Sequence, residues 1–281
     1  MRIALTDNST EGISIAGRHV SNLRYADDTT LLEKNADQLK QLINKVKTAS
    51  EAAGLDLNLN KTKIMTTSDL RTFDLDGHNI ETVDSFNFLG VAITPDILYR
   101  SEIHRRIGMG KAAMTRLHKI WKDKNVSLGT KISIVRALVF PVMTYGSESW
   151  VLTKRDRKRV DSFEMWCYRR LLRIPWTEKR TNAWVAKSVK SNQTLEASIA
   201  KLQLQYTGHI LRTNSLEKDI LTGTTQGERR RGRPKKSFWS EIKDLLQCDT
   251  TNILKMARDR NIWRLSIGKI TRGRTRLDGT R

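Results

Sequence analysis

The chain has 281 residues, a formal net charge of +21, 38% hydrophobic residues and two cysteines, enough for two modest domains or one with an extension. Cys167 and Cys248 stand far apart without Cys-x-x-Cys or paired-His company, so neither a zinc site nor a disulfide framework is indicated and a reducing compartment is expected. No long apolar run or signal-peptide pattern is present, which argues against a membrane span and secretion and for a nuclear or cytoplasmic location. The charge is uneven: residues 1–100 hold 11 Lys and Arg against 14 Asp and Glu, a net of −3, and residues 101–281 hold 40 against 16, a net of +24. A one-sided surplus of this size points to a polyanion partner held with strong salt dependence, although part of it would also suit solvated helix surface.

In chain order, Ile13-Ser14-Ile15 alternates apolar and polar, Gly17 supplies a turn, and Val20, Leu23 and Tyr25 continue as a second extended run. Thr29-Thr30-Leu31-Leu32 is β-leaning again, so Asp27 and Asp28 fall at the tip of a hairpin. Neighbouring acids share one site only where the backbone turns, because side chains alternate faces along a strand. Such a pair suits Mg²⁺ or Mn²⁺; it also suits an ordinary Asp-Asp turn. Leu39, Leu42, Ile43, Val46 and Ala49 follow helical spacing over Asp37 to Ala53, with Gly54 as the C-cap. Phe73-Asp74-Leu75 and Ile80-Glu81-Thr82-Val83 flank an Asp76-Gly77 turn, a hairpin signal. Strands end near Thr94-Pro95.

A long helix is expected over Glu102–Lys122, with Ile103, Ile107, Met114, Leu117 and Trp121 apolar. His104 and His118 lie two heptads apart on it without acid or Cys company and read as surface residues. Ser127 caps a further helix with a buried stripe of Ile132, Val135, Leu138, Val139 and Met143, kinked at Pro141. Basic and aromatic residues then interleave from Phe163 through Trp166, Tyr168 and Trp176 to Trp184. Arg169, Arg170 and Arg173 are candidate phosphate contacts; the aromatics are either stacking platforms or core, and helical spacing favours core. In Arg229-Arg230-Arg231-Gly232-Arg233-Pro234-Lys235-Lys236 the Gly-Arg-Pro centre resembles an AT-hook, and the run equally fits general nucleic-acid contact or nuclear import. Two short amphipathic helices follow, around Phe238–Leu246 and Ile253–Leu265.

The ordered strings VSNLRYADDTTLL, AGLDLNLNKTKIM and FNFLGVAIT resemble three consecutive palm motifs of reverse transcriptases of non-LTR (LINE-type) retrotransposons. FPVMTYGSESW, WCYRRLLRIPW, LQLQYTGHILR, SLEKDILTG and RRRGRPKKSFW are similar to the tail of the RTE or BovB-like branch. The resemblance implies an α+β fold: a partial palm of β-hairpins plus a helix over residues 1–98, a helical thumb-like region over 99–190, a helical connector over 191–228 and a basic tail with short helices over 229–281. It also implies RNA-directed DNA synthesis, in which RNA is copied onto a DNA primer from deoxynucleotide triphosphates with Mg²⁺ or Mn²⁺. Asp27 and Asp28 would hold the metal, and Tyr25 and Ala26 would face the incoming nucleotide or primer end. Lys61 would stand near the triphosphate as general acid for the pyrophosphate, and Phe88-Leu89-Gly90 would form the primer grip. From the residues alone, Lys61 is equally a solvated loop lysine, and the Phe88 turn equally a plain hairpin with Phe86, Phe88 and Val91 in the core.

This family also needs an aspartate on an earlier palm strand, a fingers region and a helix that positions the template. Before the motif stand only Asp7 and Glu11, in unsuitable context. The expectation is therefore a fragment running from the palm motif onward, with weakly bound Mg²⁺ and no polymerase activity by itself. The alternative is a transposon-derived remnant that binds RNA or DNA without chemistry.

Overall fold

Two-residue turns between alternating strands build the N-terminal part of the molecule, and apolar stripes on helices build the rest. The computed structural model describes residues 12–15, 17–68, 72–95, 99–190, 193–223 and 237–272. The chain divides into two units, Met1–Ile97 with Ser215–Arg231 and Leu98–Asn214 with Gly232–Arg281. The fold is mixed α and β.

Among the described residues of the first unit, four antiparallel hairpins each form a separate two-stranded sheet. β1 (Ile13–Ile15) pairs with β2 (Arg18–Val20), Ile13 opposite Val20, and β3 (Asn22–Tyr25) pairs with β4 (Asp28–Leu31), Asn22 opposite Leu31. The extended run expected through Val20, Leu23 and Tyr25 is therefore two strands in two sheets. The break falls at Ser21, whose carbonyl accepts Leu32 N–H at 2.8 Å and closes the second hairpin instead of continuing the first. Gly12 is obligatory beside it, since a Cβ there would lie 2.5 Å from the Val20 carbonyl oxygen.

α1 (Ala36–Glu51) starts at Asn35, whose side chain accepts Gln38 N–H, and ends ahead of Gly54, which takes φ +74°. It buries Leu42, Ile43 and Val46. β5 (Thr72–Leu75) and β6 (His78–Glu81) meet at Asp76-Gly77, with φ +52° and +80°, the left-handed pair of a type I′ turn. Period-2 alternation buries Phe73, Leu75 and Ile80 on one face, where they pack with Ile43 and Ile64 as a small core. β7 (Phe86–Phe88) and β8 (Val91–Ile93) form the last hairpin.

The second unit is helical. The single helix expected over Glu102–Lys122 is two, α2 (Tyr99–Arg116) and α3 (His118–Lys122), broken at Leu117. The Trp121 indole N–H folds back onto the Met114 carbonyl at 2.7 Å, satisfying an acceptor in the last turn of α2 and burying the ring. His104 and His118 are both exposed.

Ser127 caps α4 (Leu128–Ile134), accepting Thr130 N–H at 3.1 Å. A π turn over Val135–Val139 then leads into α5 (Phe140–Thr144), with Phe140 N–H reaching the Val135 carbonyl. Pro141 at the start of α5 has no N–H to give and would crowd an α-helical carbonyl four residues back, which the wider turn relieves. The extra residue shifts the helical phase, so Leu138, expected in the buried stripe, is 54% exposed while Val135, Val139 and Met143 are fully buried.

α6 (Lys154–Leu172) opens on a Thr153–Asp156 capping box, followed by α7 (Asn182–Val189) and α8 (Leu195–Arg212). α9 (Leu216–Thr222) belongs to the first unit, with Asp219 3.6 Å from Arg18. α10 (Phe238–Leu246), α11 (Thr250–Arg258) and α12 (Arg260–Arg272) return to the helical unit.

Trp150, Phe163, Met165, Cys167 and Tyr168 lie at the centre of the helical core, where burial pushes the Cys167 thiol up to about 12. Buried polar groups pin the helices. Glu241 of α10 accepts Leu152 N–H at 2.9 Å and Arg157 Nη2 at 2.6 Å, Glu164 accepts Leu195 N–H at 3.0 Å, and Gln203 donates to the Trp150 carbonyl at 2.8 Å. Among the described residues no helix is long and apolar enough to cross a membrane.

Candidate functional site

The carboxylate pair occupies the β3–β4 turn. Ala26 and Asp27 form the two-residue loop, Ala26 at φ +53°, and Asp28 is the first residue of β4, directly opposite Tyr25. Cross-strand partners share a face, so the Tyr25 ring, 64% exposed, and the Asp28 carboxylate stand on one side with Asp27 at the tip. All four residues from Tyr25 to Asp28 are exposed. The donors are of the right kind for a hard divalent cation, since ionised carboxylates offer only oxygen acceptors. In number they are short of a full cage: among the described residues no group of three His, Cys, Asp or Glu side chains could hold a metal.

Lys61 sits in a turn opened by Asn58, whose carbonyl and side-chain oxygen accept the Lys61 N–H at 3.1 and 3.2 Å; its side chain is exposed. Phe88 ends β7, and Leu89 and Gly90 form a type I′ turn with φ +48° and +77°. A leucine in the left-handed region is uncommon and costs backbone energy. The reading of Phe86, Phe88 and Val91 as hairpin core does not hold: Phe86 is 37% exposed, and Phe88 and Val91 are half-buried. The hairpin is three residues per strand and, among the described residues, pairs with no other sheet, so its apolar face is only partly covered. Nucleotide, lysine and primer-grip candidates thus stand on three separate local elements of the first unit.

Arg169, Arg170 and Arg173 come together at the end of α6. With Trp166, Lys179 and Arg180 they line a cleft of about 780 Å³. Each also has protein partners. Arg169 donates to the Arg180 carbonyl at 2.9 Å and to Asn182 Oδ1 at 2.8 Å; Arg173, the left-handed C-cap at φ +53°, donates to the Trp121 and Lys122 carbonyls; Arg170 lies 4.5 Å from the Trp166 ring centre. Phe163 and Tyr168 are buried, as core spacing implies, while Trp166 is half-buried and Trp184 is 40% exposed beneath Arg180. Lys179 and Arg180 join the cleft beyond the expected arginines, and their signal in the sequence is a basic pair just after Pro175. Arg229, Arg230, Arg231, Arg233, Lys235 and Lys236 lie outside the described residues.

Residues 5–93 match the family of reverse transcriptases (RNA-dependent DNA polymerases). Tyr25–Asp28, Lys61 and Phe88–Gly90 all fall inside that window. The chain is also 26% identical over 212 residues to a transposon-derived protein of Caenorhabditis elegans, covering 70% of this chain and 74% of the relative. That alignment is longer than the family window, so the likeness extends into the helical unit. No solved structure matches. The likeness to reverse transcriptases thus lies in the N-terminal third of the chain, and the likeness to the transposon-derived protein spans more of it.

Proposed function

We propose that the chain serves RNA-directed DNA synthesis of the LINE type, with the Tyr25–Asp28 turn at its reacting centre and the helical unit holding the template–primer. The observation that carries this reading is the family match over residues 5–93, which contains an exposed hairpin turn bearing two adjacent carboxylates. Asp27 and Asp28 would hold Mg²⁺ or Mn²⁺, and a bound ion supplies Lewis-acid activation of a primer hydroxyl and charge neutralisation at a leaving pyrophosphate. Tyr25, sharing a face with Asp28, offers an aromatic surface to a base or sugar at the primer end. Lys61 is free to bring its ammonium to a phosphate and to donate a proton as pyrophosphate departs. The Leu89-Gly90 turn exposes backbone with no side chain at Gly90, which suits close approach of a primer strand. The cleft lined by Arg170, Lys179 and Arg180 suits duplex phosphates.

A second reading, nucleic-acid binding without chemistry, is favoured by two observations. Among the described residues the pair lacks a third ligand, and the positive surplus lies wholly beyond residue 100. The test is RNA-templated extension of a DNA primer in Mg²⁺, with Asp27→Ala and Asp28→Ala alongside and template–primer binding measured in parallel. Incorporation abolished by either substitution with binding unchanged supports the polymerase reading. Salt-sensitive binding without incorporation by the unsubstituted chain supports the second reading. Incorporation that survives both substitutions removes the pair from the chemistry.

A further inference from the structure

We propose that the cleft between α8 and α12 is a separate nucleic-acid contact, a site for consecutive backbone phosphates of a strand. The identity of the anion rests on the nucleic-acid reading above, but the cluster itself is argued from its own geometry. Lys201, Gln205, His209 and Arg212 follow one another along a single face of α8, and Arg260 and Arg264, one turn apart on α12, close the other wall around a space of about 570 Å³. Trp263 forms the buried floor, its indole N–H donating to the Leu204 carbonyl at 2.9 Å. Gly208 makes that approach possible, because a Cβ there would lie 2.1 Å from the Trp263 indole nitrogen.

Among the described residues that line the cleft none is an acid. Among the described residues no carboxylate forms an ion pair with Lys201, Arg212, Arg260 or Arg264. Arg212 gives one N–H to the Ala257 carbonyl at 3.1 Å, and its pKa is pushed down by burial and then by the charges of Arg260 and Arg264. A cation at the end of α8 agrees with that helix's dipole, but Arg260 and Arg264 sit at the start of α12, where the dipole is already positive and where no acid occupies the first turn. Asp259 ahead of that turn caps it, accepting Asn261 and Ile262 N–H at 2.7 and 3.2 Å through one oxygen, and offsets part of that positive end. It stands outside the cleft lining, whose mutually repelling cations are what a bound anion relieves. The α8 face from Lys201 to Arg212 extends about 16 Å, several times the ~3.4 Å per charge along one strand of a duplex, so the row is longer than one small ion needs and suits successive phosphates.

The experiment is salt titration of the full chain binding a labelled single-stranded oligonucleotide, comparing the unsubstituted protein, Arg260→Gln/Arg264→Gln, and the equal-charge control Lys255→Gln/Arg258→Gln on α11. Arg260 and Arg264 are exposed, so their replacement tests binding with little effect on folding, which circular dichroism checks. The double cleft variant is expected to bind more weakly on every sequence and to lower the log–log salt slope by about 2, roughly 1 per lost contact, with the control nearly unchanged. Unchanged affinity and slope in the cleft variant, or an equal loss in the control, overturns the site. Loss of primer extension in Asp27→Ala with the cleft variant binding normally refutes the cleft alone, whereas failure of the unsubstituted chain to bind any oligonucleotide refutes both readings.

Discussion

The two units place their chemically interesting residues by opposite means. In the first, Asp27, Asp28, Lys61, Leu89 and Gly90 sit on turns whose shape is decided within a few residues, over a core of only a few buried side chains. In the second, the cations that share a cleft come from positions far apart in sequence, such as Arg212 and Arg264, and are brought together by packing and buried polar bonds. The β3–β4 turn exposes its acids within four residues. Packed helices can gather like charges because the rest of the unit holds them there.

The contrast is sharpest at Glu241. Its carboxylate, fully buried, holds Leu152 N–H and the Arg157 guanidinium. Glu241→Ala leaves Leu152 N–H unpartnered and takes from Arg157 one of its two carboxylates, Glu196 remaining, and is expected to destabilise the helical unit by about 2–4 kcal/mol, measured by urea unfolding. A loss under 1 kcal/mol would mean that this network does not order the unit. Two glycines give the next comparison. Gly208→Ala has no space beneath Trp263 and is expected to cost about 1–3 kcal/mol while reshaping the α8–α12 cleft. Gly77→Ala has open space around it and only a φ of +80° to sustain, for about 1 kcal/mol. The reverse order by thermal unfolding would show that backbone strain at the hairpin, not packing in the bundle, is limiting.

The smallest effect is electrostatic. Asp76 at the β5–β6 turn accepts a hydrogen bond from Lys47 at 2.9 Å, which holds its carboxyl below the usual carboxylate range and raises the lysine. A carboxyl with a depressed folded pKa adds stability above its ordinary pKa and loses it as pH falls through the lowered value. The pair is exposed, so the contribution is minor. Asp76→Asn is expected to lower the melting temperature slightly at neutral pH, with the gap closing in acid. A gap independent of pH would assign the effect to turn geometry.

What could be read from the sequence follows the same division. The Asp76-Gly77 hairpin, the α1 stripe, the Ser127 cap and the Tyr25–Asp28 turn are each set by residues a few positions apart, and each is present. What escaped depends on distant partners or on an inserted turn: the Trp121 indole that ends α2, the π turn before Pro141 that carries Leu138 to the surface, and the break at Ser21 where one hairpin gives way to another. The Phe86–Ile93 hairpin has the right turn, but among the described residues no further strand pairs with it, and Phe86 stays exposed. Lys179 and Arg180 are visible as a basic pair, whereas the cluster of Lys201, Arg212, Arg260 and Arg264 exists only once α12 packs on α8.

The most direct test of this division is Mn²⁺ broadening of backbone amide resonances across the chain, with Asp27→Ala/Asp28→Ala as the comparison. The expected result is early, selective broadening over Tyr25–Thr29 that the double substitution abolishes while the helical resonances stay unmoved. Broadening spread evenly over exposed acids, or unchanged by the substitutions, would contradict a metal-holding role for the turn.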